Sequence, residues 1–163
     1  MAEALIALGG NVGDVRATFD RAEAMILGKA QASVLARSSD YRTPPWGDPD
    51  QPDFCNACLA IDTPLDPFAL LHTLKVIETR LGRQRDATRR YGPRPIDLDL
   101  LAYDDATIDR DGLTLPHPRL AERAFVLVPL AEIAPDRAIA GRTVREMLAE
   151  LSTEGIERLP PRP

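Results

Sequence analysis

Apolar positions recur along this chain at two spacings, and the switches between them mark out the elements. Residues 4–9 (A-L-I-A-L-G) are an apolar run of strand length, ended by Gly9 and Gly10. From Asp14 to Leu27, Val15, Phe19, Ala22 and Ile26 fall three and four apart. That spacing gives a helix with one buried face, and Gly28 suits its stop. Residues 32–42 predict a second strand and Phe54 to Ile61 a third. Between them lies T-P-P-W-G-D-P-D-Q-P (43–52), whose four prolines in ten positions exclude helix and central strand alike. Asp66 and Pro67 open a second helix with the stripe Leu70, Leu71, Leu74, Ile77 and Leu81, ended by Gly82. I-D-L-D-L-L-A (96–102) alternates as a fourth strand.

The resulting order, β-α-β-β-α-β, is the ferredoxin-like supersecondary unit, so the expected fold is α+β with an antiparallel sheet. Residues 103–163 add a C-terminal α/β extension. Within it F-V-L-V-P-L-A-E-I (125–133) is apolar and ambiguous between helix and strand. Thr143 and Glu146 form a capping box for a last helix ending near Leu151. A single domain over residues 1–163 is expected, with its core in 3–151 and a frayed tail over 152–163.

Composition narrows the function classes. The 163 residues are 44% hydrophobic and 28% charged, which excludes disordered and fibrous chains. No apolar run is long enough to span a membrane, and the first residues lack a basic region followed by a long apolar one. A cytoplasmic protein is the expectation. The net charge of −5 argues against a nucleic-acid binder, but it is unevenly spread. Residues 80–95 hold six arginines (Arg80, Arg83, Arg85, Arg89, Arg90, Arg94) against one acid, Asp86, a net of +5 that leaves −10 elsewhere. A compact basic patch on an acidic protein fits a small polyanion, or else a solvated loop. Cys55 and Cys58 form a C-x-x-C inside a strand, where residues three apart face opposite ways. That makes them packing residues rather than a zinc or redox pair.

The sharpest chemistry is D-L-D at 97–99. On a strand Asp97 and Asp99 project from one face with Cα atoms about 6.5 Å apart, while Ile96, Leu98 and Leu100 face the core. Adjacent carboxylates repel unless a cation sits between them, and carboxylates select hard cations such as Mg²⁺. A solvated sheet face with two ordinary acids is the plain alternative. Arg94 lies three residues upstream, and Arg83 and Arg85 stand at the other end of the same loop. Arginine forks match phosphate oxygens, so the set suits phosphoryl transfer. The P-loop and protein-kinase signatures are absent, and Gly9, Gly10 and Gly13 read as tight-turn residues.

R-Y-G-P-R-P-I-D-L-D-L-L at 90–101 resembles the signature of the 6-hydroxymethyl-7,8-dihydropterin pyrophosphokinase family. G-G-N (9–11), Y-R-T-P-P-W-G (41–47), D-Q-P-D-F-C-N (50–56), I-E (77–78), G-R-Q-R (82–85), L-P-H-P-R (115–119) and R-A-F (123–125) follow in family order, over nearly the whole chain to about residue 150. The resemblance implies transfer of the terminal two phosphates of ATP, as one group, to the hydroxymethyl oxygen of a reduced pterin in folate biosynthesis, with AMP leaving. It implies two Mg²⁺ ions held by Asp97 and Asp99, and phosphate contacts from Arg83, Arg94, Arg85 and His117. Glu78, Leu100 and Thr114 look like part of an adenosine pocket, with Tyr91 and Arg123 also on the ATP side. Phe54 and Phe125 resemble the rings that sandwich the pterin, Asn56 the amide that reads its edge, with Thr43 and Pro44 beside it. Trp46 either lids the site or anchors its loop on the sheet. The chain departs from the family at Tyr91, Lys75 and Pro118, where Trp, Gln and Tyr are common. ATP and a reduced pterin are the expected partners of a monomer that touches neither nucleic acid nor membrane. A non-catalytic nucleotide-binding module of the same fold, and another Mg²⁺-dependent nucleotidyl or phosphoryl transferase, are the alternatives.

Overall fold

The computed structural model describes residues 1–45, 47–82 and 93–162. Its first half runs β1 (Ala2–Gly10), α1 (Val15–Lys29), β2 (Ser33–Arg37), β3 (Tyr41–Thr43), β4 (Phe54–Thr63), α2 (Pro67–Arg80) and β5 (Asp97–Tyr103). The C-terminal part adds the hairpin β6 (Ile108–Arg110) and β7 (Leu113–Leu115), α3 (Ala124–Ile133), the hairpin β8 (Ala138–Ile139) and β9 (Arg142–Thr143), α4 (Val144–Ala149) and β10 (Glu157–Arg158). The main sheet is antiparallel in every pairing, in the order β10-β3-β4-β1-β5, with β2 also on β4.

The sheet is buried on both faces, which is why β1 and β4 read as unbroken apolar runs. Ala4, Ile6, Leu8, Leu59, Ile61, Leu98 and Leu100 pack with Phe19 and Ile26 of α1 and Leu70, Leu74 and Ile77 of α2. On the other face Leu5, Ala7, Cys58, Ala60 and Leu101 pack with Val126, Leu127 and Leu130 of α3 and Met147 of α4. Cys55 and Cys58 are both buried and free, and they join opposite clusters as strand alternation requires. The helices start where their caps say. Asp14 accepts from the Ala17 amide and Asp66 from the Ala69 amide, and both arms of the Thr143–Glu146 capping box form.

Two expectations are revised and one open reading is settled. The second strand is two, interrupted around Ser38, whose amide still donates to Cys58 O (2.9 Å). The Cys58 amide donates there to the Ser38 hydroxyl (2.8 Å) instead of to a strand carbonyl. The ambiguous run 125–133 is helical: Val126, Leu127 and Leu130 lie on one face at helical spacing, with Pro129 inside the helix. Residues 152–160 are also tied down rather than frayed. β10 pairs with β3, the Leu159 amide donates to Asp40 O (2.9 Å), and Arg16 donates to Pro160 O (2.7 Å). Polar bonds to distant partners and the apolar contact of Leu159 with the core hold this tail, and neither forms a periodic pattern in the sequence.

Asp40 organises that anchor. It is 6% exposed and takes Arg16 and Arg37 at 2.7 Å each. Asp40→Ala is expected to cost about 1–3 kcal/mol, because two guanidinium groups lose a buried acceptor. Urea unfolding would measure the loss, and limited proteolysis would report release of residues 152–160.

Candidate active site

The β5 register sets the positions of the two acids. Asp97 lies opposite Gly9 and Asp99 opposite Ala7 on β1. Ile96, Leu98 and Leu100 are buried in the α1/α2 core, so the two carboxylates stand on the other face, about a quarter and a third exposed. On the far side of β1, Gly9 and Ala7 pair with Asn56 and Cys58 of β4. Asn56, Gly9 and Asp97 therefore form one row across the sheet, and Phe54 shares their face. α3 and α4 cover the rest of this face.

Glycines make that row possible by what they lack. A Cβ on Gly9 would stand 2.7 Å from Asn56 Oδ1. A Cβ on Gly10 would stand 2.5 Å from Pro95 O. These two are strand residues needed for close approach, and only Gly13, at φ +74°, is the turn residue the sequence reading expected. The segment before β5 thus lies directly on the end of β1.

Arginines meet both acids. Arg94 Nη1 is 3.2 Å from Asp97 Oδ2, and Arg123 Nη1 is 3.7 Å from Asp99 Oδ2. Arg123 precedes α3, and its guanidinium lies 5.7 Å from the centre of the Phe125 ring. It joins the acid pair to the aromatic end of the site, a contact that spacing alone did not reveal. Glu78, 5% exposed, accepts from the Leu98 amide at 2.7 Å. A buried carboxylate thus fixes the backbone between the two acids, on the side of β5 that faces away from β1.

The expected nucleotide residues gather on that same side. Glu78, Leu100, Thr114 and His117 line a cleft of about 250 Å³ together with Asp99, Lys75 and Pro118. Asp99 belongs to both the cleft and the acid pair. The His117 amide donates to Leu101 O (2.9 Å), and its Nδ1 accepts from the Arg119 amide. Burial first, then the Arg123 charge, push its pKa down from 6.5 to about 4, against the pull of Asp97.

The expected pterin residues sit around the row. Asn56 is 7% exposed and donates through Nδ2 to Thr43 Oγ1 at 2.7 Å. Phe54 and Phe125 are half-buried, and Pro44 is exposed. Trp46, Arg83, Arg85 and Tyr91 lie outside the described residues. Asn11 carried no assigned role in the sequence, although its G-G-N motif stood out. It bridges residues 40 and 83 positions away, which no local pattern signals.

Two tests follow from this geometry. Gly10→Ala should displace Pro95 and with it Arg94 and Asp97, costing about 1–3 kcal/mol by overpacking. Chemical denaturation would read that loss, and the assay for turnover should fall at least as sharply. For His117, an NMR titration of the ligand-free protein should give a midpoint near 4. The folded protein resists this proton while the unfolded chain takes it near pH 6.5. His117 thus contributes a loss of stability as pH falls from about 6.5 to about 4, and His117→Gln should flatten that slope.

Known proteins resemble this chain in sequence and in fold. Residues 5–135 match the family model described as 7,8-dihydro-6-hydroxymethylpterin-pyrophosphokinase (HPPK). A 2-amino-4-hydroxy-6-hydroxymethyldihydropteridine pyrophosphokinase of Methylorubrum extorquens is 54% identical over 159 residues, covering 98% of this chain and 99% of its own. The protein of that name from Pseudomonas aeruginosa is 42% identical, over 95% of each chain. Among solved structures, Plasmodium falciparum HPPK-DHPS superposes with a TM-score of 0.72 at 15% identity over 91% of this chain. This chain spans 42% of that longer one, and the likeness is one of fold. The family match over most of the chain, and relatives this similar along nearly their whole length, place the chain in the 7,8-dihydro-6-hydroxymethylpterin-pyrophosphokinase family.

Proposed function

We propose that this chain carries out the reaction of its family, ATP-dependent pyrophosphoryl transfer to the hydroxymethyl group of 6-hydroxymethyl-7,8-dihydropterin in folate biosynthesis. The observation that carries the reading is the pair Asp97 and Asp99, each met by an arginine, on the sheet face that also holds Asn56 and Phe54. The hydroxymethyl oxygen attacks the middle phosphorus and gives its proton to water, the bond from that phosphorus to the α-phosphate oxygen breaks, and AMP leaves. The order β5-β1-β4 with β2 and β3 beyond supports a ferredoxin-like assignment for residues 2–103.

Adenosine occupies the cleft beside Glu78, Leu100 and Thr114, outside the edge strand β5. The triphosphate then crosses that edge by way of Asp99, which borders both places. The pterin lies between Phe54 and Phe125, with Asn56 reading its edge and Thr43 fixing the amide's orientation. Arg94 and Arg123 bind phosphate oxygens, and Arg83 and Arg85 supply further guanidinium groups by residue type. Neutral His117 brings a ring nitrogen to the phosphates without adding positive charge.

The donor set fits Mg²⁺. Two same-face carboxylates supply hard oxygens and leave other coordination positions to phosphate and water. Asp97 and Asp99 would hold two ions, whose chemistry there is to neutralise charge on the phosphate oxygens around the attacked phosphorus.

The product of the nucleotide decides between reactions. With a reduced pterin and ATP, AMP should appear in step with the pterin diphosphate, whereas ADP would identify an ordinary kinase. Asp97→Ala should abolish turnover, about 10³-fold or more, with the fold retained by circular dichroism. Retained activity would remove the acid pair from the reaction.

A further inference from the structure

Three parts of the chain meet at Asn11, just past the end of β1. The residue is 8% exposed. Its Nδ2 donates to Gln51 Oε1 and to Pro52 O, both at 2.9 Å. Its Oδ1 accepts from the Arg94 amide at 2.9 Å, and its own amide donates to Arg94 O at 2.9 Å. Pro52 is two residues before Phe54, and Arg94 holds Asp97. One amide side chain therefore spans from the segment leading to the pterin-side strand to the segment leading to the acid pair.

We propose that Asn11 is a positioning residue that couples the 51–52 segment to Arg94, so that the seating of the pterin side sets the placement of the phosphate side. The assignment rests on the roles given above to Phe54, Asn56 and Arg94. Only an amide does this work: it offers two donors and an acceptor on one short planar group. An aspartate lacks the donors for Gln51 and Pro52, and an alanine leaves the Arg94 amide without its acceptor. Gly10 beneath Pro95 holds the same segment from below, so Arg94 is fixed on both sides. Movement of residues 51–52 is passed to the Arg94 backbone through two hydrogen bonds rather than through the apolar core.

The test combines two variants with a measurement that needs no substrate. In Asn11→Ala, hydrogen exchange of the Arg94 amide in the free protein should rise about tenfold or more, with the β1 amides unchanged. Its kcat should fall about tenfold and its KM for the pterin should rise. Gln51→Ala should raise the pterin KM about threefold with kcat within about twofold. The double variant should bind pterin no more weakly than Asn11→Ala alone, because Gln51 acts through Asn11. Unchanged exchange at Arg94, or single-variant effects on the pterin KM that multiply in the double variant, would overturn the proposal. Should Asn11→Ala lose its cooperative melt, Gln51→Ala decides: faster exchange of the Arg94 amide in that variant supports the coupling and unchanged exchange overturns it. Failure of the unmodified protein to form AMP would sink the functional reading instead, and the exchange experiment still decides whether Asn11 ties the two segments.

Discussion

Strand alternation in β5 is the constraint from which the site follows. Ile96, Leu98 and Leu100 are almost wholly buried, at about 1.5–3 kcal/mol for each side chain. That burial fixes which way the intervening residues point. A slip of one residue would put two carboxylates into the core and three apolar side chains into solvent, so the alternative register is closed. The acids stand side by side because the leucines beneath them cannot be anywhere else. Their mutual repulsion is a cost that packing outweighs, and Arg94 and Arg123 reduce it further.

The edge position of β5 matters as much as its register. An edge strand leaves backbone groups unpaired on its outer side, and here the chain fills that side with function-bearing residues. Glu78 takes the Leu98 amide, and the Leu101 carbonyl takes the His117 amide. Both partners line the cleft beside the strand. The interactions that finish the sheet edge thus also build the wall of the proposed nucleotide site. A central strand, paired on both sides, would offer no such wall. Glu78 has a structural duty that its place in an expected adenosine pocket did not suggest.

Electrostatics within the site are arranged by proximity rather than by net charge. The chain is acidic overall, yet the acid pair sits between guanidinium groups drawn from segments about thirty residues apart. Partial burial and the charges of Arg123 and Arg119 push the His117 pKa down to about 4. Relatives 40% or more identical to this chain share its family, while the Plasmodium chain shares the fold at 15% identity. A fold can survive that divergence because burial patterns are satisfied by many sequences.

By itself the sequence determined the elements whose burial is periodic, and with them the acid pair. The alternation at 96–102 placed Asp97 and Asp99 on one face, and the stripe from Leu70 to Ile77 placed Glu78 at the end of α2. The family resemblance grouped the expected ATP and pterin residues, and the structure gathers several of them around one sheet end. Tertiary structure alone decided what depends on distant partners. Residues 125–133 became helix because a face of the sheet needed covering. Residues 152–160 were held by the Asp40 carbonyl and Arg16, with Leu159 packed against the core. The need for Gly9 and Gly10 lies in Asn56 and Pro95, and the duty of Asn11 in Gln51, Pro52 and Arg94. Local spacing encodes which face a residue takes, because that depends on its neighbours in the chain. It does not encode which polar atom will lie opposite, because that atom arrives from elsewhere only once the core has closed.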